Sequence, residues 1–104
     1  MKIYVINLDR RAERYQSFLR RLPLNWPFAP VERFAAVDGK DVVSPEWWTA
    51  GRAAYGCYQS HLKIIEQCIA DGVDSVLILE DDATFPCGFA AKAQEYIRHL
   101  PDDW

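Results

Sequence analysis

Val76-Leu77-Ile78-Leu79-Glu80-Asp81-Asp82 runs four apolar residues straight into three acids, with no turn residue between them. An apolar run of that length fits a strand covered on both faces, as the strands of parallel sheets are. The acids then sit at the strand's carboxyl end. In open parallel sheets that is where ligands bind, and three adjacent carboxylates there repel one another unless a cation or a proton intervenes. A hard divalent ion, Mn²⁺ or Mg²⁺, meets the need, since it favours oxygen ligands and keeps positions open for substrate phosphates. Spacing alone equally admits a plainer reading, in which the acids only solubilise a strand-to-helix loop and place charge near a helix N-terminus.

Outward from this stretch the pattern repeats. Ile3-Tyr4-Val5-Ile6 and Leu8 form a second apolar run and predict a central strand. Ala12, Tyr15, Phe18, Leu19 and Leu22 recur at helical spacing up to Pro23, with Arg11, Glu13, Arg14, Gln16, Arg20 and Arg21 on the other face. Leu24 to Val31, with Pro27 and Pro30, reads as an extended loop, and Phe34 to Val37 as a short strand. Asp38-Gly39 opens an irregular segment to Gly51 that contains Trp47-Trp48. From Ala54, the residues Cys57, Tyr58, His61, Leu62, Ile65, Cys68 and Ile69 predict one stripe of a long helix that Gly72 ends. Phe89, Ala90, Ala93, Ile97 and Leu100 outline a last helix before Pro101. Strand, helix, strand, helix, strand, helix is the order of an α/β fold with an open, mainly parallel sheet flanked by helices.

The 104 residues suffice for one small domain with one core, so residues 1–104 read as a single unit. A sheet of this kind normally launches another strand after its last helix, so the unit is expected to be the N-terminal portion of a larger domain. Its unpaired edge would then favour self-association. A formal charge of −3 argues against a nucleic-acid partner, which wants a basic face. Cys57, Cys68 and Cys87 are odd in number and lack zinc-site spacing; Cys57 and Cys68 on one helix would lie ~16 Å apart, beyond disulfide reach. Reduced thiols of a cytoplasmic protein fit best. The first apolar run is too short for a signal peptide or a membrane span. His61 beside Ser60 reads first as a satisfied core histidine, because no partner for a nucleophilic triad can be placed near it. The arginines of the first helix read as a solvated face, with attraction to phosphate or anionic lipid at the inner membrane face as the alternative.

Four blocks in order now carry a resemblance. Ile6-Asn7-Leu8-Asp9-Arg10-Arg11 with Glu13-Arg14, then Phe34 to Gly39, then Gly56-Cys57 with Ser60-His61-Leu62, then Leu77 to Asp82 resemble the motifs of glycosyltransferase family 25, the lipooligosaccharide biosynthesis glycosyltransferases. The resemblance implies a Rossmann-like fold of the GT-A type and metal-assisted transfer of a sugar, often galactose. The donor would be a nucleotide-diphosphate sugar and the acceptor a glycan or lipid-linked glycan. It implies that Glu80-Asp81-Asp82 stands for the acidic Asp-x-Asp signature, with Asp82 the direct metal ligand, Glu80 assisting and Asp81 assisting or touching substrate. It also implies that Asn7, Leu8 and Arg10 border the nucleoside, that Asp38 lies near base or ribose, and that Ser60 and His61 belong to the substrate region. No catalytic base is assigned. The competing reading is a truncated, non-catalytic binding module. A phosphoacceptor receiver domain ranks last, since the first strand leads into Asn7-Leu8-Asp9-Arg10 and not an acidic pair.

Overall fold

The computed structural model describes all of residues 1–104. Three strands, β1 (Lys2–Asn7), β2 (Glu32–Ala35) and β3 (Val76–Glu80), form one parallel sheet in the order β2-β1-β3. Three helices, α1 (Ala12–Arg21), α2 (Arg52–Ala70) and α3 (Phe89–Arg98), alternate with them. The fold is the expected α/β arrangement with an open parallel sheet. β1 is the central strand, with Ile3 to Asn7 all buried, which is why it lacks polar alternation. Its register sets Ile6 opposite both Phe34 and Glu80, so the carboxyl ends of all three strands emerge on one side.

Successive side chains of β1 face opposite ways. Tyr4 and Ile6 pack with Ile64 and Cys68 of α2. Ile3 and Val5 are fully buried, as is Phe18 of α1. Phe18 leads into an aromatic cluster: Phe85 lies 6.1 Å from it, and Trp26 stacks on Phe89 at 5.7 Å. The proline-rich loop therefore supplies half-buried aromatics that join α1, the segment after β3, and α3.

Two expectations shift. The second strand lies two residues earlier than Phe34 to Val37, because the Val37 N–H donates to Ser60 Oγ at 2.9 Å and so leaves the sheet ladder. The buried stripe of α2 is Gly56, Ser60, Ile64 and Cys68, while Tyr58, Ile65 and Ile69 are exposed. Small and polar Gly56 and Ser60 do not register as apolar, so of the stripe expected from hydrophobic periodicity only Cys68 is fully on the buried line. Gly72 ends α2 as expected, at φ +65°, with Gly72 N–H bonded to Ile69 O and Val73 N–H to Cys68 O. That pair of bonds is the glycine-terminated Schellman closure. No helix is long and apolar enough to cross a membrane.

Candidate functional site

A cleft of about 310 Å³ opens at the carboxyl ends of β1 and β3, where ligands of open parallel sheets bind. Asn7, Leu8, Arg10, Asp38, Ser60, Glu80, Asp81 and Asp82 all line it, so the strand order brings together the residues of all four motif blocks. His61 alone of the sequence-selected residues does not. A second groove between β3 and α3, lined by Val76, Leu77, Phe89 and Tyr96, is almost wholly apolar and offers no chemistry.

The acids are not the mutually repelling trio that their adjacency suggests. Asp81 is buried; Asn7 Nδ2–H donates to its Oδ2 at 2.7 Å and Arg14 lies 2.5 Å from its Oδ1. Arg21 donates to Asp81 O at 2.7 Å and to Ala83 O at 3.2 Å. Asp81 is thus a brace for the loop after β3, with both side-chain oxygens taken. Glu80 and Asp82 are exposed, and Asp82 has only a looser partner in Arg14 at 3.4 Å. Arg14 and Arg21 accordingly do not belong to a solvated face. They reach across to the acidic loop, and the basic surface expected to attract anionic membranes loses both.

Asn7 is the hub beneath the cleft. Its side chain is buried, donates to Arg11 O at 3.0 Å as well as to Asp81, and accepts from Arg33 Nε at 3.0 Å. Arg33 continues to Asp9 at 2.6 Å. With its side-chain polar atoms held by the protein, Asn7 shapes the floor of the cleft. Arg10 and Asp38 pair across the cleft rim at 2.5 Å, and the Arg10 guanidinium, helped by the Lys40 N–H, holds the Asp38 carboxyl below the usual carboxylate range.

Ser60 is fully buried, donating to Gly56 O at 2.8 Å while accepting from Val37 N–H. His61 Nδ1–H donates to Cys57 O at 3.0 Å, one turn back in α2. Ser60 therefore serves the fit of α2 against the end of β2, while His61 is satisfied within α2 itself. Cys57, absent from the sequence-selected set, lines the cleft and its thiol lies 3.5 Å from Glu80 Oε1. Burial first, and the Glu80 carboxylate second, push that thiol up from its ordinary value. It stays protonated near neutrality and is a poor nucleophile. Iodoacetamide is therefore expected to label exposed Cys87 well before Cys57, as mass spectrometry of a labelling time course would read. Equal rates would contradict the shielded thiol.

For a hard cation the donor set is small. No group of three or more His, Cys, Asp or Glu side chains gathers into a ready cage. Glu80 and Asp82 supply two exposed carboxylates, the first touched by the Cys57 thiol and the second leaned on by Arg14, in a cleft also lined by Arg10 and Arg11. That fits Mg²⁺ or Mn²⁺ held through one or two carboxylates and completed by phosphate oxygens and water.

The family model of glycosyltransferase family 25 (LPS biosynthesis protein) matches residues 1–104. The chain belongs to glycosyltransferase family 25. It is 32% identical over 108 residues to a glycosyltransferase 25 family member of Anopheles gambiae, covering 88% of this chain and 18% of that protein. It is 25% identical to procollagen galactosyltransferase 1 of Danio rerio, over 99% of this chain and 20% of the relative. It is also 28% identical to the inactive glycosyltransferase 25 family member 3 of Homo sapiens, over 95% of this chain and 19% of the relative. The chain spans about a fifth of the length of these relatives. No solved structure matches it.

Proposed function

We propose that this family 25 chain forms the donor site of a glycosyltransferase, binding a nucleotide-diphosphate sugar in the cleft and serving transfer of the sugar, galactose in the first instance, to a glycan or lipid-linked acceptor. The observation that carries the reading is the presence, in one cleft, of two exposed carboxylates, Glu80 and Asp82, with three arginines, Arg10, Arg11 and Arg14. That combination suits a diphosphate and a divalent cation together. Glu80 and Asp82 would hold the cation, Mn²⁺ or Mg²⁺, whose chemistry there is to neutralise charge on the departing nucleoside diphosphate. Arg10 and Asp38 at the rim are placed to meet the nucleoside, and Leu8 gives the wall an apolar surface. Three free thiols support a reducing, cytoplasmic setting.

A second reading, a donor-binding module without turnover, is favoured by one observation: the human relative is itself named inactive. Both readings share the binding step. Titration calorimetry of UDP and GDP, with Mn²⁺ and with chelator, is expected to show that one nucleotide binds at least about tenfold more tightly with metal, each ligand strengthening the other by the same factor. Asp82→Asn should abolish most of that coupling, while Asp102→Asn, a charge control far along the chain, should leave it. Metal-independent binding, or equal behaviour of the two variants, would reduce the acids to a solvated loop. Sugar transfer to an acceptor then separates the enzyme from the module.

A further inference from the structure

We propose that Arg14, anchored on Asp81, is an exchangeable counter-cation of Asp82, leaning on it when the cleft is empty and turning toward the donor's diphosphate when a divalent cation takes Asp82. The inference rests on the donor-site reading above and deepens it, since it concerns how metal and nucleotide reach that site. Its basis is an asymmetry in the grip of one guanidinium. Arg14 lies 2.5 Å from Asp81 Oδ1 but 3.4 Å from Asp82 Oδ2. The side chain of Asp81 is 11% exposed and its other oxygen is held by Asn7, whereas that of Asp82 is 70% exposed and has no second partner. Arg14 is therefore anchored at one carboxylate and only leaning on the other.

The loop does not need Arg14 to keep its shape. Arg21 holds the backbone carbonyls of Asp81 and Ala83, and Asn7 holds the Asp81 side chain. Arg14 itself is 38% exposed and lines the cleft that a diphosphate would fill. An arginine keeps its charge at any accessible pH, and its planar fork suits phosphate as well as carboxylate.

Two opposite consequences follow from one charge. A divalent cation approaching Asp82 alone meets a like charge already there and must displace it, which weakens metal binding in the absence of nucleotide. A diphosphate arriving with the metal gives the displaced guanidinium a new partner, which strengthens nucleotide binding. Arg14 thereby makes metal loading wait for the donor. Loss of fold would lower both affinities, so opposite signs set this role apart from a merely structural one.

The test uses the whole chain, with Mn²⁺ alone followed by electron paramagnetic resonance and UDP or GDP at saturating Mn²⁺ followed by calorimetry. Arg14→Gln is expected to bind Mn²⁺ alone about fivefold more tightly and nucleotide about tenfold more weakly, with a far-UV spectrum like the parent's and a melting temperature lowered by loss of the Asp81 pair, so binding is read below the variant's own transition. Arg14→Lys should keep the parent's order of binding with weaker nucleotide affinity. If the parent shows coupled metal and nucleotide binding but Arg14→Gln moves both affinities the same way, or neither, the counter-cation role is overturned while the donor site stands. If the parent binds neither ligand, the donor-site reading falls and this inference falls with it.

Discussion

Gly56→Ala is expected to destabilise the chain by about 3 kcal/mol, a large part of the ~5–15 kcal/mol typical of a domain. A Cβ at Gly56 would lie 2.5 Å from Val37 O and 2.7 Å from Gly39 N, contacts with backbone that no rotamer change relieves. Helix α2 would have to retreat from the end of β2. That movement takes Ser60 Oγ away from the Val37 N–H, now 2.9 Å from it. Overpacking costs ~1–3 kcal/mol and a stranded buried N–H ~1–3 kcal/mol more. Gly39 makes a second close approach to α2, since a Cβ there would overlap Arg52 O in the first turn of the helix. Gly72→Ala is the control: at φ +65° with open space around it, the cost is only the left-handed backbone, about 1 kcal/mol. Urea denaturation of the three proteins decides the matter, and equal losses for Gly56 and Gly72 would show that the close packing of α2 on β2 is not what fixes this end of the sheet.

The same contact explains what the sequence revealed and what it hid. Periodicity found β1, β3 and all three helices, because each carries apolar residues at the spacing of its element. It misplaced the stripe of α2, because the closest approach in the fold is made by residues with almost no side chain, Gly56 and Gly39, and by a hydroxyl on Ser60. The acids after β3 were legible as a site from the strand-end rule, and the cleft does lie there. Their charge balance was not. Arg14 and Arg21 lie on the polar side of a helical pattern, where solvent is the default partner, yet long side chains let them reach a loop some sixty residues away in sequence. Local patterns carry no signal for such pairing. The consequence for function is specific: the cleft offers a diphosphate three arginines as well as carboxylates, so metal is expected to strengthen donor binding without being the sole source of positive charge.

Asn7 joins the fold to the site, and its replacement tests both. Asn7→Ala removes the donor to Asp81 Oδ2, the donor to Arg11 O and the acceptor for Arg33 Nε in a buried position. With one of those partners a buried carboxylate, the expected loss is about 3 kcal/mol, and the melting temperature should fall by ~10 °C or more for a chain of this size. Asn7→Asp keeps the shape and is the sharper experiment. It sets a second carboxylate where an amide now lies 2.7 Å from Asp81, and although Arg14 and Arg33 each face one member of the pair, two buried like charges at that distance are expected to favour keeping one proton in the variant. A carboxyl whose folded pKa is raised binds more protons folded than unfolded, so the variant should lose stability as pH rises above the unfolded value, until the folded value is passed. Asn7→Asp is therefore expected to approach the parent near pH 4.5 and to fall below Asn7→Ala by pH 7.5, while Asn7→Ala keeps a nearly constant deficit. Thermal melts of the three proteins across that range read the crossing directly, and parallel curves for the two variants would mean that Asn7 and Asp81 are not in contact. Because Asp81 anchors the loop that presents Asp82, the coupling of Mn²⁺ to nucleotide should decline in both variants even at temperatures where each remains folded.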